Sequence, residues 1–317
     1  MSSEASYSLE GKTVWVAGHG GMVGGALVRK LELENCKALP IVTRKDVDLR
    51  RQAEVEDWMG ETKPDVVIIA AATVGGIIAN STRPAEFIYD NLAIETNIIQ
   101  AAHALDVEKV LFLGSACIYP REAPQPMKED HLLTGPLEPT NEWYAIAKIA
   151  GIKMCQAYRQ QYGRDYISAQ PINLYGPGDN YHPTGSHVIP AMIRKAHEAK
   201  VSGAATMEVW GTGTVRREFQ HVDDMADAAL FLLKNYSGPV PVNMGTGEEL
   251  TIRQLAETVC KAVGFEGELV FDSTKPDGAP RKLLDCSFIE GLGWRSSIGL
   301  EDGLRDAYDW FLKNVAD

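Results

Sequence analysis

A glycine-rich turn between a predicted strand and a predicted helix most restricts how this chain can fold. A run rich in β-forming residues, Lys12 to Ala17, stops at the turn, and helical spacing of apolar residues follows from Met22 to Leu33. Between them, Gly18, Gly21 and Gly24 give the pattern G-x-x-G-x-x-G. Glycines let the backbone turn sharply and approach a pyrophosphate, whose charge is met by free N–H groups at the helix N-terminus. The turn therefore predicts a dinucleotide site, although an ordinary glycine turn would give the same short pattern.

Apolar runs alternate with helical patterns through the rest of the first half. The stretch Asp65–Ala72 is almost unbroken in its apolar character, which fits a parallel strand covered on both faces. Strands that alternate with helices predict an open parallel sheet with right-handed crossovers. We therefore expect an α/β fold with a Rossmann-type doubly wound parallel sheet. The other predicted elements are strands at Ala38–Thr43, Lys109–Gly114 and Tyr166–Pro171, and helices at Pro84–Leu105 and Asn141–Tyr162.

The elements become shorter and less regular after Gly176-Pro177. This change predicts a smaller C-terminal α/β substrate lobe. We expect residues 1–175 to form mainly the dinucleotide-binding Rossmann domain and residues 176–317 mainly the substrate lobe, with some chain crossing back to the first sheet. The predicted elements here are strands at Met207–Trp210 and Val240–Val242, and helices at Asp223–Leu233, Ile252–Val263 and Leu300–Leu312.

Composition excludes several classes of protein. At 317 residues the chain is too long for a single small module, and its 31 Lys and Arg against 43 Asp and Glu give a net charge of −12. Such a charge repels polyphosphate, so we expect no nucleic-acid partner. The start has no basic residue before an apolar run, and the most apolar stretch, Val66–Val74, is too short to span a bilayer. We expect a cytoplasmic protein without membrane partners.

The end of the second predicted strand indicates which dinucleotide binds. An acidic residue there would bond the ribose hydroxyls of NAD, whereas a basic residue suits the extra phosphate of NADP. Here Arg44 and Lys45 follow Thr43. NADP(H) is therefore the expected cofactor, with solvated charges at a strand end as the alternative.

Tyr144 and Lys148 are four residues apart in a predicted helix, so that the phenol and the ammonium lie on one face. Such pairs are common by chance, but Ser115 follows a strand at the carboxyl edge where open α/β sheets bind their ligands. A nearby Lys⁺ and an oxidised nicotinamide would lower the pKa of the phenol from about 10. The tyrosine would then protonate a carbonyl oxygen as hydride arrives, with Ser115 hydrogen-bonded to the same oxygen.

These residues, with several longer runs, resemble the extended short-chain dehydrogenase/reductase family of nucleotide-sugar enzymes. The resemblance extends from about Thr13 to Leu312 and implies NADP(H) as cofactor and a GDP-linked keto-deoxy sugar as substrate. The implied reaction converts GDP-4-keto-6-deoxy-D-mannose to GDP-L-fucose, by 3,5-epimerisation and then NADPH-dependent reduction of the 4-keto group. The longer runs are Gly114–Pro120, Leu137–Glu142, Tyr144–Gly151, Asn173–Pro177, Ser186–Pro190 and Lys275–Gly278.

Inversion of a carbon needs a base on one side and an acid on the other. Cys117 lies two residues after Ser115, and in extended backbone this spacing would turn both side chains to one face. A thiol becomes a usable base when a cation or dipole lowers its pKa, whereas a buried core cysteine is the alternative. The resemblance implies Cys117 as the base and His187, at the start of a predicted helix, as the acid.

The resemblance also implies the residues that bind each ligand. Relatives commonly carry Arg at the position of Gly20, so NADPH preference would depend mainly on Arg44 and Lys45. The helices Pro84–Leu105 and Asn141–Tyr162 would form the contact of a homodimer. The expected cofactor contacts are Gly18, Gly21, Met22, Val23, Gly24, Arg44, Ser115, Tyr144, Lys148, Pro171, Asn173, Leu174 and His187, and the expected substrate contacts are Asn173, Val188, Lys195, Trp210, Arg217 and Lys275.

Two other functions remain open from the sequence. One is a different nucleotide-sugar epimerase or dehydratase of the same fold, although a dehydratase would show an Asp-Glu pair where this chain has Ala116-Cys117. The other is a catalytically silent NADP-sensing protein, which would tolerate loss of Tyr144 and Lys148. No metal site is expected, because His182, His187 and His221 show no metal-ligand spacing.

Overall fold

The computed structural model describes residues 6–183, 185–275 and 277–316, so the start Met1 to Glu4 and Pro276 lie outside the described residues. Helices and strands alternate through most of the chain. In chain order they are β1 (Val14–Ala17), α1 (Met22–Leu31), α2 (Gln52–Thr62), β2 (Val66–Ile69), α3 (Ile77–Thr82), α4 (Pro84–Ala104), β3 (Lys109–Leu113), α5 (Glu142–Tyr162), β4 (Asp165–Pro171), β5 (Asn173–Tyr175), α6 (Val188–Ser202), β6 (Thr206–Trp210), β7 (Arg216–Arg217), β8 (Phe219–His221), α7 (Val222–Asn235), β9 (Val242–Met244), β10 (Leu250–Thr251), α8 (Ile252–Val263), β11 (Glu268–Asp272), β12 (Arg281–Lys282), α9 (Ser287–Leu292) and α10 (Leu300–Asn314).

The central sheet has five parallel strands in the order β1-β2-β3-β4-β9. Every residue of β1, β2 and β3 is buried, because helices cover both faces of the sheet. Parallel pairing brings the carboxyl ends of the strands to one edge. The expected Rossmann-type parallel sheet is therefore confirmed.

Two predicted strands differ from the structure. The run Ala38–Thr43 forms no strand among the described residues: Ala38 makes one parallel bridge to Thr13, and the chain then continues without pairing. Pro40 has no N–H to donate, which explains why the ladder stops there. The strand predicted at Val240–Val242 instead begins at Val242, directly after Pro241, for the same reason.

The apolar side chains form two separate clusters. The larger one packs around the central sheet and includes α7, β9 and α9 from the second half of the chain. The smaller one packs α6, α8 and α10 around β6 and β8. Buried Glu218 joins these regions, since its carboxylate accepts hydrogen bonds from the backbone N–H groups of Thr246, Gly247 and Leu284 at 2.6, 2.9 and 2.8 Å. This connection fixes the position of β7 and β8 beside the carboxyl edge of the sheet.

Candidate active site

A cavity of about 790 Å³ lies at the carboxyl ends of β1, β2, β3 and β4. Parallel α/β sheets bind ligands at this edge. The cavity is lined by fifteen of the predicted site residues, namely Gly18, Gly21, Met22, Val23, Gly24, Arg44, Ser115, Cys117, Tyr144, Lys148, Pro171, Asn173, Leu174, His187 and Val188. The structure does not place Lys195, Trp210, Arg217 or Lys275 in its lining.

The glycine turn forms a cradle that side chains would fill. Gly18 has φ +92°, and a Cβ at Gly24 would lie 2.1 Å from the carbonyl oxygen of Gly18. The cap residue of α1, Gly21, has no side chain to bond the first N–H groups, and the first turn of α1 has no acidic residue. These free donors and the positive end of the helix fit the pyrophosphate of a dinucleotide.

Of the two cations predicted to bind the extra phosphate of NADP, one lines the cavity. Arg44 lines the cavity, whereas Lys45 is not among its described lining residues. Arg50, which no pattern in the sequence indicated, binds Asp48 at 2.7 Å and Asp90 at 3.0 Å. Its hydrogen bonds lower the pKa of Asp48 to about 2, so this carboxylate stays ionised. Gly20 also lines the cavity, and open space surrounds its Cβ position.

Ser115 is held by backbone and side-chain contacts at the end of β3. Its N–H donates to Gln170 Oε1 of β4 at 3.0 Å, and its hydroxyl accepts from the N–H of Cys117 at 3.2 Å. Ser115 has extended backbone, but Ala116–Ile118 is a turn of 3-10 helix, so the prediction of extended backbone through Cys117 was wrong. Both residues nevertheless line the cavity, because the serine caps this turn.

Lys148 is buried beneath the tyrosine with which it was paired in the sequence. Its Nζ donates to the carbonyl oxygen of Leu113 at 3.0 Å and lies 5.9 Å from the centre of the Tyr144 ring. Burial lowers the pKa of this ammonium, and the nearby carboxylate of Glu95 raises it. Burial also raises the pKa of Glu95 to about 8, against the effect of Lys148. A buried lysine and a buried carboxyl therefore influence each other below the cavity floor.

The pKa of the Tyr144 phenol is raised in the structure, whereas the sequence predicted a lowered pKa. Burial is the main cause of its raised pKa; negative charge on Cys117 and Glu95 adds to it, and the hydroxyl of Ser115 opposes it. The expectation counted the positive charges of Lys148 and an oxidised nicotinamide and omitted the loss of hydration. A neutral phenol is the form that donates a proton, which suits the reduction of a ketone.

The sulfur of Cys117 accepts hydrogen bonds from two donors. Asn141 Nδ2 lies 3.3 Å from Sγ and Lys282 Nζ lies 3.4 Å from it. Lys282 also lines the cavity and was not identified from the sequence. It is 165 positions from Cys117, so no local pattern could have indicated this contact.

His187 is the cap residue of α6 and lines the cavity. The residue as a whole is exposed. The surrounding walls nevertheless remove hydration from the imidazole and lower its pKa. The neutral ring is therefore favoured in the free protein.

The remaining predicted substrate residues form a nucleotide-end cluster, defined here as Lys195, Trp210, Arg217 and Lys275. The ring of Trp210 has the ammonium groups of Lys195 and Lys275 at 5.1 and 5.4 Å from its centre. Arg217 donates to the carbonyl oxygen of Asp277 at 3.3 Å, on the same loop as Lys275. Pairing of β7 with β12 puts Arg217 in register with Lys282, so the cluster adjoins the cavity wall.

One group of possible metal ligands occurs among the described residues: His221, Asp223 and Asp306. His221 Nδ1 accepts from the N–H of Asp223, which places the proton of a neutral ring on Nε2. That nitrogen faces Asp306 Oδ2 at 3.3 Å. A neutral ring with its proton on Nε2 offers no lone pair at that nitrogen. The ring therefore acts as a helix cap beside the carboxylate of Asp306.

Comparison with known proteins gives the chain's relatives. Residues 14–245 match the NAD dependent epimerase/dehydratase family. GDP-L-fucose synthase 1 of Arabidopsis thaliana is 58% identical, over 100% of this chain and 98% of the relative. GDP-L-fucose synthase of Escherichia coli (strain K12) is 54% identical, over 95% and 97%. A solved GDP-L-fucose synthetase from Naegleria fowleri, bound to NADP, has a TM-score of 0.91 at 27% identity, over 99% of this chain and 98% of that chain.

Proposed function

Because the chain belongs to the NAD dependent epimerase/dehydratase family, we propose that it converts GDP-4-keto-6-deoxy-D-mannose to GDP-L-fucose. The reaction is 3,5-epimerisation followed by NADPH-dependent reduction of the 4-keto group. The observation that carries the proposal is one cavity holding Ser115, Cys117, Tyr144 and His187 together. These are the groups that polarise a ketone and move protons at its neighbouring carbons.

The glycine cradle, Arg44 and the edge residues Pro171, Asn173 and Leu174 are the groups that would hold NADP(H). NADPH supplies, when bound, the hydride that reduces the ketone carbon. The cradle orients the pyrophosphate through N–H groups, and Arg44 is the cation available to the adenosine phosphate. Lys148, whose ammonium lies below the Tyr144 ring, is the last of the residues proposed to hold NADP(H).

Ser115 and Tyr144 hold the oxygen of the ketone by hydrogen bonds. Carbons 3 and 5 flank this ketone, so their protons become acidic when charge that develops on the oxygen is stabilised. The same two donors then stabilise the oxygen as it becomes an alcohol. One polarising pair therefore serves both stages of the reaction.

Cys117 acts as the base that removes a proton from the carbon, and His187 returns a proton from the other side. The Cys117 sulfur accepts hydrogen bonds from Asn141 and Lys282 at the cavity wall. The free protein favours the neutral imidazole of His187, so the ring must gain its proton before it delivers one. Tyr144 finally transfers its phenolic proton to the oxygen when hydride has reached the carbon.

The nucleotide-end cluster binds the GDP part of the substrate. Trp210 is half exposed and offers a face for the purine, while Lys195, Lys275 and Arg217 are cations suited to the diphosphate. Val188 and Asn173 extend this set into the cavity, where the sugar lies.

The direct test measures loss of NADPH absorbance with GDP-4-keto-6-deoxy-D-mannose, with identification of the sugar product. We expect NADPH oxidation and GDP-L-fucose. The UDP-linked 4-keto-6-deoxy sugar is the matched control, because it keeps the ketone and changes the base that the nucleotide-end cluster contacts. No oxidation with the GDP sugar would reject the proposal.

We further propose a homodimer formed by α4 and α5, and a cytoplasmic location. Support for the dimer comes from Tyr89 and Trp143, large apolar side chains that are exposed on these packed helices. Support for the location comes from the five cysteines, all of which are free thiols, as is typical of a reducing compartment. Among the described residues, no helix combines the length and apolar character that a membrane span requires. The division into lobes at 175/176 also remains a proposal.

A further inference from the structure

The Cys117 sulfur has an unusual environment for a thiol. Its two polar side-chain contacts, at 3.3 and 3.4 Å, come from the amide N–H of Asn141 and the ammonium of Lys282. Both groups donate, and a donor favours the charged thiolate over the neutral thiol. The cysteine itself is half buried at the cavity wall, so these donors act in a region with reduced hydration.

Lys282 has the sulfur as a partner where a lysine ordinarily has a carboxylate. No ion pair within the described part of the chain includes this ammonium. Its neighbour on β12, Arg281, instead binds Glu249 at 2.7 Å. Successive side chains of a strand point to opposite faces, so β12 directs one cation to Glu249 and the other into the cavity.

The backbone around Lys282 is fixed on both sides. Its carbonyl oxygen accepts from the N–H of Glu218 at 3.2 Å, and the N–H of Leu283 donates to Gln125 Oε1 at 2.9 Å. The next residue, Leu284, donates to the buried carboxylate of Glu218 at 2.8 Å. These hydrogen bonds fix β12, and β12 in turn positions the Lys282 ammonium beside the Cys117 sulfur.

We propose that Lys282 is a positioning residue that keeps Cys117 in its thiolate form. The use of that thiolate to remove protons at carbons 3 and 5 rests on the proposed function. In that step the proton moves from carbon to Sγ, and the electron pair it leaves behind is delocalised onto the ketone oxygen. Lys282 keeps its proton throughout.

The other groups near the sulfur do not supply this charge. Ser115 and Asn141 are neutral, and Tyr144 of α5 is the titratable group coupled to Cys117 by charge. A phenol is either neutral or negative, so Tyr144 adds no positive charge beside the sulfur. Lys148 is engaged with the carbonyl of Leu113 below.

The experiment compares alkylation of Cys117 by iodoacetamide over a range of pH, read by mass spectrometry of the peptide that contains it. The full-length protein is used without sugar. Lys282→Gln and Lys282→Met remove the charge, Lys282→Arg restores it, and Arg281→Met is the matched control on the same strand. For the two neutral variants we expect the alkylation midpoint to rise by about one pH unit or more, a ~10-fold slower reaction near neutral pH.

Lys282→Arg and Arg281→Met should keep the wild-type midpoint. An unchanged midpoint in Lys282→Gln and Lys282→Met would overturn the proposal, and so would an equal rise in Arg281→Met. Lys282→Gln keeps a neutral N–H donor at this position. It therefore still tests the role of the charge if Lys282→Met perturbs folding.

A second measurement separates this inference from the proposed function. Deuterium incorporation at carbons 3 and 5 is followed in deuterated water, beside hydride transfer to an already epimerised ketone. We expect the neutral Lys282 variants to slow incorporation ~10-fold near neutral pH, to recover at higher pH and to reduce the ketone within about twofold of wild type. Wild-type deuterium incorporation by Cys117→Ser would refute the proposal that Cys117 is the base. The alkylation midpoint of the Lys282 variants would still decide whether Lys282 acts on the Cys117 thiol.

Discussion

The phenol of Tyr144 holds its proton tightly in the free protein. Loss of hydration raises the pKa of the phenol, and the charges on Cys117 and Glu95 act in the same sense. The free protein thus carries the neutral phenol, which is the form that can donate a proton to a ketone oxygen.

Tyr144→Phe removes this proton without changing the ring that packs against Phe87. We expect the rate of ketone reduction to fall by about 10²–10⁴, the usual contribution of a positioned acid. The rate of reduction is measured by stopped-flow, as NADPH consumption with an already epimerised ketone. Trp143→Phe, at the exposed neighbouring position, is the control and should retain wild-type turnover. Near-normal reduction by Tyr144→Phe would show that another group supplies the proton.

Several residues of the site could be predicted because local patterns carry their chemistry. The glycine turn and the Tyr144/Lys148 spacing are patterns of this kind. Gln170 and Lys282 were missed because their contacts with Ser115 and Cys117 join positions 55 and 165 residues apart. Such contacts exist only after the strands have paired, and their side chains are ordinary polar residues in the sequence.

Helix α4 carries an unpaired carboxyl in its buried face. Both oxygens of Glu95 lack hydrogen-bond partners among the described residues, and Lys148 is its charged neighbour. Burial raises the pKa of Glu95 from 4.5 to about 8. The folded state therefore binds this proton more strongly than the unfolded state. Its contribution is present in full below about pH 4.5 and is lost as the pH rises through about 8.

Glu95→Gln should remove this dependence, because an amide does not ionise. We expect the free energy of unfolding of the variant, relative to wild type, to increase between pH 5 and pH 8 by roughly 3 kcal/mol. Urea unfolding across this range is the measurement. Glu86→Gln, exposed on the same helix, should show no such trend. A constant difference between Glu95→Gln and wild type would indicate that the carboxyl is ionised throughout.

Glu218 connects β7 and β8 to two other segments of backbone. Three N–H groups donate to its carboxylate, and Glu218→Ala would leave them without a partner. We expect a loss of about 3 kcal/mol in the free energy of unfolding. Chemical denaturation measures it, with the exposed Glu248→Ala as the matched control. A loss below ~1 kcal/mol would mean that water replaces the carboxylate at these donors.

The helices and buried strands follow from the sequence more closely than the edges of the sheet do. The periodicities predicted α1, α5 and β3 within a few residues. The run Ala38–Thr43 failed as a strand because its apolar character was counted and the missing N–H of Pro40 was not. Edge pairing depends on individual donors, so one residue can cancel it.

At the scale of the whole molecule, the exposed face of α4 and α5 predicts self-association. We expect sedimentation equilibrium to give a mass near twice the 34.7 kDa of one chain. Ala150→Arg adds a long cation to the outer face of α5 and should give a monomer. Ala204→Arg, at an exposed site after α6, is the control and should leave the mass unchanged. A monomeric wild type would reject the proposed dimer.

The small sheet β10-β7-β12 has a consequence for substrates that lack part of the nucleotide. Arg217 and Lys282 are register partners on neighbouring strands of this sheet, and in the proposed function they lie toward opposite ends of one substrate molecule. Binding of the diphosphate by Arg217 can therefore fix the position of Lys282 beside the reacting sugar. Binding energy from a remote part of the substrate then raises the rate of the chemical step as well as the affinity. A bare sugar, or one with a single phosphate, would consequently turn over slowly even at saturating concentration.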